Sequence, residues 1–181
     1  VFTRIKKEGE YVLSSGVRSS YTYDYASLTD AMSAAYCHLL KRKLEAWQGK
    51  HGKFNVVLGL ETEGIRIGYQ LAQMMNLPFH AVPHSRVAFS QQEIPRYGVD
   101  THYLIIDDIV TTGSSFIRAV DFLDIEEKPE TITFACMIKR DPSKLDYSAV
   151  HGDPDKEQYM VPDERYDFID HRLVWLFSEE S

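Results

Sequence analysis

Two hydrophobic periods alternate along this chain. Over 27–47, Leu28, Met32, Ala35, Leu39, Leu40 and Leu44 recur at helical spacing, and Ser27 or Thr29 can cap the start. Gly49 to Gly52 end that helix. Phe54 to Leu60 is an apolar run bounded by glycine, the pattern of a buried strand. Gly64 to Asn76 returns to helical spacing with Ile65, Ile67, Leu71, Met74 and Met75. Phe79 to Val82 is a short strand after Pro78. Residues 83–102 are polar and mixed, carry Pro83 and Pro95, and read as a long loop. A strand over 103–107, a helix over 114–125 and a strand from Thr131 to Ile138 follow. From 140 to 165 the pattern weakens into Asp, Pro and Tyr, and Arg172 to Phe177 offers one more strand.

Strands alternating with helices predict an α/β fold with a doubly wound, mainly parallel sheet flanked by helices. The strands are apolar throughout, as strands buried on both faces are. Loops that carry chemistry then lie at the strands' C-terminal ends. A length of 181 residues suits a single domain, and 44% hydrophobic with 26% charged residues is a globular composition. The net charge of −7 argues against a nucleic-acid surface. A polyanionic ligand would need local donors, a metal ion or a few placed cations. Cys37 and Cys136 stand in no motif and read as reduced core thiols of a cytoplasmic protein. No apolar stretch approaches the ~18 residues of a membrane span, and no leader peptide is visible. A first residue of Val1 is what processing or trimming would leave.

The most informative segment is Tyr103-Leu104-Ile105-Ile106-Asp107-Asp108-Ile109-Val110-Thr111-Thr112-Gly113-Ser114-Ser115. An apolar run ends in two carboxylates, a small hydroxyl- and glycine-rich turn follows, and an amphipathic helix begins with Phe116, Ile117, Val120, Phe122 and Leu123. The turn offers N–H groups, hydroxyls and a helix dipole to an anion. The carboxylates can hydrogen-bond vicinal hydroxyls or hold a metal-bound water. Together they describe a ribose 5-phosphate. The bland alternative is a strand–turn–helix in which Asp and Ser act only as caps. A second strand-to-helix turn, Gly59-Leu60-Glu61-Thr62-Glu63-Gly64, has glycines that permit unusual backbone angles.

The first run closely resembles the phosphoribosyl pyrophosphate (PRPP) motif of the type I phosphoribosyltransferases. The resemblance implies that Asp107 and Asp108 bind the ribose hydroxyls and stabilise charge developing at C1. It implies that Thr111, Thr112, Gly113, Ser114 and Ser115 hold the 5-phosphate, and that Glu61, Thr62, Glu63 and Gly64 hold pyrophosphate with Mg²⁺. The metal would sit at Asp107 and Asp108, through water or directly. Residues 11–24, Tyr11 to Asp24, are similar to the N-terminal segment of orotate phosphoribosyltransferases. Carried over, Tyr21 and Tyr23 flank the base, and Ser14, Ser15 and Arg18 supply polar contacts. The bland alternative is a surface hairpin with exposed tyrosines. Thr111-Thr112 is orotate-like wording, whereas Gly-Leu-Glu-Thr looks like the adenine branch. The resemblance implies one domain over 1–181, with a core of 27–138 and hood segments over 1–26 and 140–181. It implies a homodimeric enzyme that transfers ribose 5-phosphate from PRPP to a base, orotate first. The alternatives are a purine enzyme, or a catalytically weak PRPP- or nucleotide-sensing regulator.

The chain departs from the family in the loop over 83–102. Pro83 and His84 stand where Arg-Lys is usual, and the loop contains no Lys. Arg86 and Arg96 are its permanent cations and become the catalytic candidates. Glu63 stands where a basic or small residue is common. Lys41-Arg42-Lys43 reads as a solvated helix face, Trp175 as core packing before base stacking, and His38 as structural.

Overall fold

A computed structural model describes residues 4–13, 16–83, 100–123, 131–146, 169 and 171–179. Five parallel strands form the central sheet: β3 (Val56–Leu60), β4 (Phe79–Val82), β5 (Tyr103–Val110), β6 (Ile132–Lys139) and β7 (Leu173–Ser178), in the order β4-β3-β5-β6-β7. Helices α1 (Asp30–His51) and α2 (Glu63–Met75) cover one face, and α3 (Ser114–Leu123) covers the other. The cores follow strand alternation: Val57, Leu104 and Ile106 face α1 and α2, while Val56, Leu58 and Ile105 face Phe116 and Ile117 of α3. The doubly wound parallel fold predicted from the pattern is the one observed.

Helix α1 starts three residues later than the periodicity implied. Tyr25–Ser27 form a short 3-10 turn, and Thr29 caps α1 by accepting from the Met32 N–H at 3.3 Å. Gly52, at φ 96°, ends it. Asn76 ends α2 in the left-handed conformation.

Before α1 lies a two-stranded antiparallel hairpin of β1 (Lys6–Val12) and β2 (Arg18–Tyr23). It is not the exposed-tyrosine hairpin of the bland reading, because Tyr21 is buried and Tyr23 half-buried. Two further expectations need correcting. His38 is exposed. Lys43 is not simply solvated: its Nζ donates to the carbonyls of Trp175 and Leu176, at 2.8 and 3.2 Å, along the edge strand β7. Trp175 packs against the α3-side core with the Lys139 Nζ 4.9 Å from its ring centre.

Candidate functional site

The strand order reverses direction between β3 and β5, since β4 follows β3 on one side and β6 follows β5 on the other. In open parallel sheets the crevice outside the strands' carboxyl ends at such a switch is where ligands bind. The turn after β3 and the turn after β5 flank that crevice. Both sequence motifs therefore converge on one place, although 48 residues separate them. One small cleft is lined by Glu61 from the first turn and by Ser115 and Arg118 from α3.

The carboxylates sit within β5 rather than at its end. The ladder with β6 runs on through Asp107↔Cys136, Ile109↔Ile138 and Val110↔Lys139. The expected strand stop at 107 fails because Ile109 and Val110 are β-branched and apolar and continue the pairing. Asp107 Oδ1 accepts from the Asp108 N–H at 2.9 Å, and Asp108 Oδ1 from the Ile109 N–H at 2.9 Å. Neither bond caps a helix, so the bland reading of this pair is set aside. Burial pushes the Asp107 carboxyl well up, and the neighbouring Asp108 charge adds to the shift. Burial raises Asp108 too, against its hydrogen bonds and the pull of Arg66. Alternation puts Asp107 on the face of Ile105 and Asp108 on the face of Ile106. Their nearest influential cations match that division: Arg118 of α3 acts on Asp107 and Arg66 of α2 on Asp108.

The turn after β5 is compact. Thr112 and Ser114 are buried, and the Ser114 N–H points at Thr112 Oγ1 at 3.4 Å. Gly113 has φ 75°, a backbone angle that favours glycine. Its carbonyl accepts from the Ile117 N–H at 3.1 Å, so α3 starts here with its first N–H groups at the crevice.

The turn after β3 is built differently from its expected role. Gly59 and Gly64 have no left-handed backbone; they permit close approach. A Cβ on Gly64 would lie 2.5 Å from the Ile106 carbonyl oxygen and 3.1 Å from Asp107 Cα. A Cβ on Gly59 would lie 2.6 Å from the Gly64 carbonyl oxygen. These two glycines thus seat the start of α2 directly on β3 and β5. The peptide between Glu61 and Thr62 is cis. The acidic Glu63 is answered by Arg66, 3.0 Å away. Arg66 also donates to the carbonyls of Tyr25 and Leu28, at 3.1 and 3.3 Å, and so ties the chain after β2 to the start of α2.

Of the base-binding candidates, Tyr21 and Tyr23 stand together, rings edge-on at 5.8 Å, with their hydroxyls donated to Glu179. Arg18 is exposed, and its backbone exchanges two hydrogen bonds of 3.0 Å with Asp146, away from the tyrosine hydroxyls. Ser14, Ser15, Arg86 and Arg96 lie outside the described residues. Sequence reasoning missed Arg66, Arg118, Arg140 and Glu179. Only Arg118 carried a local signal, one helical turn after Ser114, and its Nε lies 3.4 Å from the Ser114 carbonyl. Among the described residues no group of three or more His, Cys, Asp or Glu forms a metal cage. Two carboxylates can still hold a hard cation whose other ligands are water and substrate oxygens.

A family model for the phosphoribosyl transferase domain matches residues 24–161. The orotate phosphoribosyltransferase of Maricaulis maris (strain MCS10) is 27% identical over 141 residues, 77% of this chain and 71% of that protein. The enzyme of the same name from Pyrobaculum calidifontis (strain DSM 21063 / JCM 11548 / VA1) is 29% identical over 125 residues, 64% and 60% of the two chains. The crystal structure of orotate phosphoribosyltransferase from Aeropyrum pernix superposes with a TM-score of 0.64 over 98% of this chain and 90% of that one. At 23% identity, that last likeness speaks for the fold.

Proposed function

The chain belongs to the phosphoribosyl transferase domain family, and from that we propose that it moves ribose 5-phosphate from PRPP to orotate with release of pyrophosphate. The observation that carries this is the convergence at the sheet's switch point of a carboxylate pair, Asp107 buried and Asp108 half-buried, and a turn that opens a helix. Thr111, Thr112, Gly113, Ser114 and Ser115 would receive the 5-phosphate on N–H groups and hydroxyls at the positive end of α3. Asp107 and Asp108 would accept from the ribose hydroxyls and stabilise positive charge growing at C1. Residues 61–64 would face the pyrophosphate. The protein contributes position and charge stabilisation here, not a covalent intermediate.

Mg²⁺ suits this donor set: two carboxylates offer hard oxygen ligands, with substrate phosphates to complete the shell. When bound, the ion would screen the leaving pyrophosphate. Burial at both carboxylates, and the Asp108 charge at Asp107, are what a nearby cation would relieve. Arg86 and Arg96 are proposed as loop cations in place of the family's Lys, and single Ala variants assayed for turnover would identify the one that serves. The preference for orotate rests on the names of the two sequence relatives and on Thr111-Thr112.

The test has two stages. PRPP with Mg²⁺ should raise the melting temperature, since a ligand at a hundred times its Kd adds about 2.7 kcal/mol. A protein changed at Thr112 and Ser114 to bulky residues should lose that shift. Pyrophosphate release should then be faster with orotate than with adenine or hypoxanthine. A PRPP shift that survives the double change rules out this turn. Binding of PRPP without turnover of any base makes the chain a sensor instead.

A further inference from the structure

The hydroxyls of Tyr21 and Tyr23 meet on one carboxylate. Tyr21 donates to Glu179 Oε2 at 2.9 Å, and Tyr23 to Oε1 at 2.5 Å. The Asp141 N–H donates to the same Oε2 at 2.8 Å, and Lys144 Nζ reaches the Glu179 carbonyl at 3.2 Å. The Glu179 N–H donates to the Lys139 carbonyl at 3.1 Å, which prolongs the β6–β7 pairing by one residue. One half-buried side chain therefore joins the hairpin, the turn after β6 and the end of β7. Hydrogen bonds to a carboxylate are charge-assisted and stronger than neutral ones.

Arg140 supports the hairpin from below. Its guanidinium lies 4.4 Å from the Tyr21 ring centre and donates to Ser19 Oγ at 2.7 Å and the Tyr21 carbonyl at 3.3 Å. Its backbone N–H donates to the Val110 carbonyl at 2.9 Å, immediately before the Thr111 turn. Past the other end of β2, Arg66 holds the carbonyls of Tyr25 and Leu28 beside Asp108. The hairpin thus lies on the rim formed by the C-terminal ends of β5, β6 and β7. A two-stranded ribbon is marginal by itself, so these attachments decide where it sits.

We propose that Glu179 is a positioning residue that locks the tyrosine edge of β2 onto the rim beside the carboxylate strand, and so sets the cover over the substrate base. This rests on the reading of the hairpin as the base-facing hood. Without the Glu179 carboxylate both hydroxyls lose their shared acceptor, and the Asp141 N–H loses its partner. The tyrosine end of the ribbon then keeps the Arg140 and Arg66 contacts, and its far end the Arg18–Asp146 backbone pair, and a loosened hood weakens base binding while leaving the ribose and phosphate contacts in place.

The test compares Glu179→Ala and Glu179→Gln with the parent in the full chain. Glutamine keeps one carbonyl acceptor and offers an N–H to the second tyrosine oxygen, so it should rescue most of the loss. Amide exchange over 18–24 should speed up about tenfold in the Ala variant, with strand 56–60 unchanged, as for a local opening. The KM for the base should rise about tenfold, equivalent to ~1.4 kcal/mol, with kcat and the KM for PRPP within about twofold. Unchanged hairpin exchange in the Ala variant overturns the lock. Equal acceleration across the sheet, or a Gln variant as severe as Ala, also overturns it, in favour of a general stabilising role. Faster hairpin exchange with an unmoved base KM overturns the role at the site while leaving the family reading intact. If the parent turns over no base, the base reading falls, and the exchange comparison decides the lock alone.

Discussion

Asp107 shows what a buried carboxylate costs a fold. Burial, and then the Asp108 charge, hold its proton on to higher pH than the unfolded chain would. A folded-state pKa above the unfolded value means stability present at low pH and lost as pH rises through the raised range. Asp107→Asn removes that loss and keeps the acceptor for the Asp108 N–H. The variant should melt a few degrees higher than the parent at pH 8, at roughly 2–4 °C per kcal/mol for a chain this size. The gap should close below about pH 4, the ordinary carboxylate range. Turnover should fall about a hundredfold, the scale of losing one group that stabilises transition-state charge. A lower melting temperature at pH 8 would show that the carboxylate is a stabilising part of the fold. The pair and its turn stood out in sequence because the proposed site's residues are contiguous over 107–115. Arg140 and Glu179 were not, because they meet Ser19, Tyr21 and Tyr23 across more than a hundred residues.

Glycines separate two kinds of element-level constraint. A Cβ at Gly64 would meet backbone of β5 at 2.5 Å, and backbone cannot step aside as a flexible side chain can. Gly64→Ala should destabilise the fold by ~1–3 kcal/mol. It should also lift the start of α2 off β5 and weaken the PRPP-induced thermal shift. Gly49, inside α1, has no atom within 4 Å of a built Cβ, so Gly49→Ala should stabilise by ~0.5–1 kcal/mol. Urea unfolding of the two variants checks both signs, and a neutral Gly64→Ala would mean that α2 is free to shift. The elements themselves were legible from periodicity: β4 matches its expected span, and α2 begins and ends one residue earlier than expected, with Asn76 as its cap. Boundaries failed where local chemistry intervened. The Tyr25–Ser27 turn delayed α1, and β-branched Ile109 and Val110 carried β5 past the carboxylates. The reason for the glycines at 59 and 64 was invisible, because it lies in the packing of α2 against β3 and β5, not in their own backbone angles.

Across the whole molecule, the candidate site and a buried histidine cluster occupy opposite ends of the sheet. His102 precedes β5 at its N-terminal end, buried, with Nε2 2.9 Å from Thr133 Oγ1, which also accepts from Trp47 Nε1 at 3.1 Å. Phe54 packs edge-on against its ring at 4.9 Å. Burial lowers its pKa to about 4, and the charges of Arg172 and His51 push the same way. A histidine depressed on folding binds fewer protons in the folded state than in the unfolded one between those two values. Stability should therefore fall as pH drops from about 6.5 toward 4, by up to about 3 kcal/mol from this group. The Asp107–Asp108 pair, raised in pKa, works with the opposite sign, so the parent's profile alone is ambiguous. The difference between the parent and His102→Gln isolates the histidine, since the carboxylate contribution cancels. That difference should shrink steadily from pH 7 to pH 4 in urea titrations, because the variant has no group there to charge. The pH profile of turnover should not move, because the proposed active groups sit in the C-terminal half of β5 and the turn after it, whereas His102 precedes the strand. A shifted activity profile in His102→Gln would show that the two ends of the sheet are coupled, and a pH-independent stability difference would mean that His102 is free to ionise where it stands.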